Sequence, residues 1–170
     1  MQKAFTLVEI IIVIMIMGIF LGMGYSTYIK QYQSKDFDRQ VELFATTLEL
    51  AKNKAVGRDI SPNTACTSFD RYQVSVTQNT TPPQYNLQFV CTTPASTITV
   101  QSYELTNMTA SGLPTNPYPI EFHHPYGCTT DACNAVTVTM RIRNPANATC
   151  KDVSINSLGN VTVGNLINGC

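Results

Sequence analysis

The sequence predicts an α+β protein: one long N-terminal helix, half membrane segment and half amphipathic, packed on a small antiparallel β domain. Three observations carry this expectation. An uncharged apolar run fills positions 10–29. No proline interrupts the chain between Phe5 and Gly57, so a helix can continue through both parts. Beyond Ile60, apolar residues alternate with polar ones in short runs separated by proline- and glycine-bearing breaks, the mark of half-buried strands.

The first element is Met1-Gln2-Lys3-Ala4, with one cation at Lys3, followed by Phe5-Thr6-Leu7-Val8-Glu9 and the run from Ile10 to Ile29. About 20 apolar residues allow a helix to cross a hydrocarbon core about 30 Å thick. Tyr25, Ser26, Thr27 and Tyr28 lie at its far end, where an interface tolerates them. Glu9 is the one acid in the apolar stretch. A carboxylate in lipid is costly without a partner, which makes Glu9 a functional candidate. The residues alone leave three readings open. A secretory signal peptide would be cut after its core, but no A-x-A-like site follows until the chain is polar. A signal anchor explains the span and gives Glu9 no role. Cleavage before the span would leave it in the mature protein.

The second element runs from Lys30 to Val56. Phe37, Val41, Phe44, Leu48, Ala51 and Ala55 recur at steps of four and three, an amphipathic stripe. Lys35, Asp36, Asp38, Arg39, Glu42, Glu49 and Lys52 occupy the remaining surface as a solvated face, and Gly57 is the expected stop. Together the two parts predict one continuous helix of about 50 residues, roughly 80 Å long.

The strands follow. Pro62-Asn63-Thr64 marks a loop, Tyr72-Val74-Val76 alternates, and Asn79 to Pro83 breaks the chain. Tyr85-Leu87-Phe89, Ile98-Val100 and Tyr103-Leu105 alternate in turn. Ser111 to Pro119 is a long turn-rich connection with Gly112, Pro114, Pro117 and Pro119. Ile120 and Phe122 open another extended piece, and Val136-Val138-Met140-Ile142 is the clearest half-buried strand. Val153-Ile155, Leu158-Gly159-Asn160 and Val161-Val163 form a closing hairpin. About seven or eight short strands on one helix give the α+β class.

Eleven basic and eleven acidic residues leave no net charge, so no strong field points to nucleic acid or acidic lipid, and nucleic acid is not an expected partner. Tryptophan is absent, and all six cysteines lie at or beyond Cys66, away from the leader. An even number so placed suits disulfides in an oxidising compartment. Lys3 favours a cytoplasmic leader with the remainder outside. Six cysteines allow fifteen connectivities, but local spacing prefers three pairs. Cys128 and Cys133 enclose Thr-Thr-Asp-Ala; Cys150 and Cys170 flank the closing hairpin and would fasten the C-terminus; Cys66 and Cys91 remain. The two longer loops, each of roughly 20 to 26 residues, would contribute about 3 kcal/mol apiece by the loop-entropy model.

Catalytic chemistry is thin. His123, His124, Cys128 and Cys133 are zinc-ligand types, yet their spacing fits no standard zinc finger, and disulfide is expected rather than metal. Asp131 alone is too few acids for calcium. No nucleophile–base arrangement, phosphate loop or paired carboxylates occur, so neither an enzyme nor a cofactor is expected. Arg141, Arg143 and Lys151 read as a solvated strand face before they read as a basic patch.

Ala4-Phe5-Thr6-Leu7-Val8-Glu9 with the apolar run behind it resembles the class III signal of type IV pilins and pseudopilins. The resemblance implies cleavage between Ala4 and Phe5 by a prepilin peptidase and N-methylation of Phe5. Glu9 would then be the acid that neutralises a neighbouring subunit's terminal amine during assembly. Two buried charges become tolerable once paired. The family usually has Gly before the cut, where this chain has Ala4, and many members carry Pro late in the span, where it has Ser26. The implied organisation is a leader at 1–4, a transmembrane and assembly helix at 5–29, an amphipathic half at 30–58 and an exported β domain at 59–170. The implied partners are other pilins of the fibre, the peptidase and an inner-membrane assembly platform. The implied location is the bacterial inner membrane, single-pass, with the β domain extracytoplasmic and fibre-associated after assembly.

Two shorter stretches narrow the resemblance. Leu48, Ala51, Lys52, Ala55 and Arg58 are similar to the L-x-x-A-R-x-x-A-x-x-R helix end of minor pseudopilins of the general-secretion H and FimT-like group, with Lys52 in place of arginine. Val153, Ile155, Gly159, Val161 and Val163 resemble that group's closing strand pair, with Asn160 where a basic residue is frequent. The resemblance covers under half of the chain. It implies a structural fibre subunit of a type IV pilus or a type II secretion pseudopilus. The alternatives are a DNA-binding minor pilin for natural transformation and a plain membrane-anchored binding domain.

Overall fold

In the computed structural model, residues 7–62, 65–130 and 137–170 are described, without the side chains of 21–27. The chain divides into two units, Met1–Asp36 and Phe37–Cys170. Helix α1 spans Leu7–Val56, 50 residues without a break, as the absence of proline predicts. It ends in a tight cap: the Gly57 N–H donates to the Asn53 carbonyl at 2.9 Å and the Asp59 N–H to the Lys54 carbonyl at 3.0 Å. Arg58 takes a positive φ of 48° between them. The cap satisfies carbonyls that a helix end otherwise leaves without partners.

Among the described residues the second unit holds nine strands in two sheets. The first contains β1 (Ser68–Thr77), β2 (Gln84–Thr93), β3 (Ser96–Glu104) and β5 (Tyr118–His123), in the spatial order β3-β2-β1-β5. The second contains β4 (Thr109–Ser111), β6 (Val138–Asn144), β7 (Thr149–Ile155) and β8 (Val161–Val163), in the order β4-β6-β7-β8. The two-residue β9 (Ile167–Asn168) also pairs with β7. Every pairing among the described strands is antiparallel.

The helical stripe read from the sequence is the one that is buried. Phe37, Val41, Phe44, Leu48, Ala51 and Ala55 join Tyr72, Val74, Leu87 and Phe89 of the first sheet and Met140, Ile142, Val153 and Ile155 of the second in one core. Among the described residues the first buried position of the helix is Phe37, the first of that stripe; Lys30, Gln31 and Tyr32 are exposed. Phe44 meets Tyr85 edge-on at 5.0 Å between ring centroids, and Tyr85 stacks on Tyr103 at 5.0 Å. Such pairs add about 0.5–1.5 kcal/mol beyond the area they bury. Burial pushes the Tyr85 hydroxyl up to about 12.

Two differences from the sequence reading have physical causes. Ile98-Val100 and Tyr103-Leu105, two runs in the sequence, are continuous up to Glu104 in β3. Leu87 faces Gln101 and Gln88 faces Thr99, leaving Val100 as an extra residue. That bulge shifts the inward side from even to odd positions and disguises one strand as two. β4 went unread because Thr109-Ala110-Ser111 carries one small apolar residue between two polar ones, and β9 because a two-residue strand cannot display alternation. The strand expected from Val136 starts at Val138, and 136 lies outside the described residues.

Cys66 is bridged to Cys91 and Cys150 to Cys170. Cys128 is also disulfide-bonded, and the expected Cys128–Cys133 pair reaches into 131–136, outside the described residues.

Candidate functional site

The first candidate site is the start of α1. Ala4 and Phe5, the expected cleavage pair, lie outside the described residues. Glu9 sits in the first turn of the helix, where the positive end of the backbone dipole favours a carboxylate. One turn on, Val13 shares a shallow apolar recess with Glu9, Ile10 and Ile14. From Leu7 to Phe20 the helix is exposed on every side, including Leu7 at 76% and Phe20 at 73%. A helix that is apolar all round is covered in its working state, by lipid or by other helices. Among the described residues no helix is long and apolar enough to cross a membrane. The expected span of 10–29 passes through 21–27, whose side chains are not among them.

The histidine pair is placed structurally. His123 closes β5, where its Nε2 lies 3.3 Å from Glu121 Oε2, and Arg71 Nε holds Glu121 Oε1 at 3.0 Å. Arg71 also pairs with Asp70. The His124 Nδ1 is 3.3 Å from the Ala55 carbonyl at the end of α1. The disulfide at Cys128 removes a thiolate from the set that zinc would need. No group of three potential metal-binding side chains occurs among the described residues.

The basic strand face is neutralised by its own neighbours. Arg141 and Asp152 are direct cross-strand partners in β6 and β7. The Arg141 guanidinium donates to both carboxylate oxygens of Asp152, at 2.7 and 2.9 Å. That bidentate pair holds the Asp152 carboxyl below its usual range and raises the Arg141 value. Lys151 Nζ meets Asp38 Oδ1 of α1 at 2.8 Å. Two of the three cations are thus committed internally, which the sequence could not show because Asp38 and Lys151 lie 113 positions apart.

The end of α1 meets the closing hairpin. Lys52 Nζ donates to Asn160 Oδ1 at 2.7 Å. Glu49, Lys52 and Asn53 of the helix border a small polar recess with Gly159, Asn160 and Val161. Val153 pairs with Val163 and Ile155 with Val161, so the hairpin register is the one its alternation predicts. Gly159 (φ 68°) closes the turn, and Asn156 caps it by accepting the Leu158 and Asn160 N–H groups at 3.0 and 2.9 Å. A side chain at Gly159 would run into the Gly127 carbonyl oxygen at 2.1 Å. A groove bordered by Gly112, Tyr118, Glu121, Thr130 and Thr139 has Glu121 as its one carboxylate among the described residues, and Arg71 and His123 already hold it.

Residues 1–25 match the family description of the prokaryotic N-terminal methylation motif. The match covers the leader, the expected cleavage pair, Glu9 and most of the apolar run. It supports a type IV pilin-like, membrane-anchored surface subunit. No curated protein and no solved structure matches the chain significantly.

Proposed function

We propose that this chain is a minor pilin or pseudopilin, a non-enzymatic subunit that enters a type IV pilus or a type II secretion pseudopilus through its N-terminal helix. The observation that carries the reading is the helix from Leu7 to Phe20, apolar and exposed on every side with Glu9 as its one charge, inside a methylation motif. A prepilin peptidase would cut between Ala4 and Phe5, and Phe5 would be methylated. The apolar run would hold the subunit in the inner membrane until neighbouring helices replace lipid around it. Glu9, costly in either setting when alone, would pair with a neighbour's terminal amine. Other pilins and the assembly platform are the partners, and the β domain remains extracytoplasmic.

Within that reading we favour the general-secretion H and FimT-like group, on the helix end and the closing hairpin. A DNA-receptor role is disfavoured by the internal pairing of Arg141 and Lys151 and by the neutral Asn160. Mass spectrometry of protein from a strain with an intact peptidase tests the core of the proposal. A chain beginning at methylated Phe5 supports it, and an intact Met1 or a cut beyond Ile29 refutes it. Glu9→Ala should leave a folded, membrane-held subunit that enters fibres poorly.

A further inference from the structure

Asn168-Gly169 is the one Asn-Gly step in the chain. Its chemistry is distinctive because glycine places no side chain beside its backbone nitrogen. In an open chain that nitrogen can attack the preceding carboxamide carbon. Here the step is held in three ways. Asn168 pairs with Thr149 in β9. The Gly169 N–H donates to the Ala148 carbonyl at 2.8 Å. The next residue, Cys170, is bridged to Cys150 in β7. Both Asn168 and Gly169 are exposed, so water reaches the site, and a Cβ built on Gly169 would meet nothing within 4 Å. The backbone hydrogen bond and the disulfide, rather than burial, are what restrain it.

We propose that Asn168-Gly169 is a self-modification site gated by the Cys150–Cys170 disulfide. With the bridge closed, the Gly169 nitrogen is held against Ala148 and the two-residue β9 stays on β7. A thiol reductant opens the bridge by exchange, leaving Cys150 and Cys170 as thiols and the reductant oxidised to a disulfide. β9 is then held by its two backbone pairings and the Gly169–Ala148 hydrogen bond, and such a short segment opens locally at little cost. The freed Gly169 nitrogen then bonds to the Asn168 Cγ, the Cγ–N bond of the carboxamide breaks, and ammonia leaves with the displaced proton. Water opens the resulting succinimide at one of its two carbonyls. The product at 168 is an aspartyl or an isoaspartyl residue; no oxidant or reductant enters the steps at Asn168. Either product adds a negative charge, and the isoaspartyl form adds one carbon to the main chain. That extra carbon breaks the Thr149–Asn168 register and displaces Cys170 from Cys150. A chain that loses this bridge would therefore be marked irreversibly, and in the isoaspartyl form could not reform it correctly.

The test uses the full chain in detergent, incubated near neutral pH and sampled by peptide mass spectrometry for deamidation and isoaspartate. Asn160 and Asn165, followed by valine and leucine, serve as internal references. Reduction and alkylation should accelerate modification at Asn168 by at least about tenfold over the oxidised protein, as local opening requires. A paired Cys150→Ser and Cys170→Ser variant should match the reduced protein. A Cys66→Ser and Cys91→Ser variant, which loosens the domain elsewhere, should stay near the oxidised rate at Asn168. Equal rates in oxidised and reduced protein overturn the proposal. So does equal acceleration by the two cysteine-pair variants, since the gate would then be global unfolding. Modification of the urea-unfolded chain no faster at Asn168 than at Asn160 also overturns it.

Discussion

Lys52 and Asn160, 108 positions apart, share a 2.7 Å hydrogen bond that ties the end of α1 to the closing hairpin. Under the pseudopilin reading proposed above, these are two positions at which the chain departs from the group's pattern. Lysine stands for arginine at one and asparagine for a basic residue at the other. Their contact makes the departures mutually consistent, because a cation at 160 would face the cation at 52. The pair is exposed, so its coupling in a double-mutant cycle of Lys52→Ala and Asn160→Ala should fall below about 1 kcal/mol. Asn160→Arg should destabilise the domain, and Lys52→Ala should relieve that loss. Urea unfolding of the parent, the two alanine variants, their double variant, and Asn160→Arg with and without Lys52→Ala checks both statements.

Gly159→Ala should cost about 2 kcal/mol or more, since the added carbon meets the Gly127 carbonyl oxygen at 2.1 Å at a φ of 68°. Gly169→Ala has a similar φ of 77° with open space around it, and strain alone predicts a cost of about 1 kcal/mol. Thermal melts of the two variants should rank in that order. Equal losses would mean that the Gly127–Gly159 approach relaxes freely.

Phe44→Ala should remove about 3–5 kcal/mol, because the side chain is fully buried and gives up its edge-on contact with Tyr85. Leu50→Ala, on the exposed side of the same helix, should change stability by less than about 0.5 kcal/mol. Comparable effects at the two positions would overturn the burial assigned to the stripe.

Acid should weaken the helix cap before it weakens the core. The Asp59 carboxylate is held down to about 2 by the Lys54 ammonium that donates to it, then by hydrogen bonds from Ser61. A lowered carboxyl value contributes stability above the unfolded value near 4 and loses it as pH falls toward 2. Asp59→Asn should therefore be less stable than the parent at pH 7 and lose less between pH 4 and 2. The group is largely solvated, so the difference should be under about 1 kcal/mol. Denaturation midpoints across that range give the reading, and parallel curves for the two proteins would contradict it.

The sequence revealed most where periodicity was long. Six helical positions at steps of four and three sufficed to name the packing face, because a helix must bury one stripe against its domain. The closing hairpin was equally plain, since Val153, Ile155, Val161 and Val163 alternate around a glycine turn. The bulge at Val100 was hidden because it exchanges faces within one strand. At the site, Glu9 was legible as a lone acid among apolar residues. The Asp38–Lys151 and Lys52–Asn160 contacts were not, because partners more than a hundred positions apart leave no local pattern.

The two described disulfides also divide the domain mechanically. Both join residues of the sheet region, Cys66 with Cys91 and Cys150 with Cys170, and neither includes a residue of α1. A pull applied to the helix ahead of Phe37 reaches the domain first at Phe37, Asp38 and Val41. It then loads the Asp38–Lys151 ion pair and the apolar stripe in sequence, like an adhesive strip lifted from one end. Everything up to Cys66 can detach without breaking a covalent bond. The staples therefore preserve the sheets under traction, while the helix is held by side-chain contacts that re-form when the load is released.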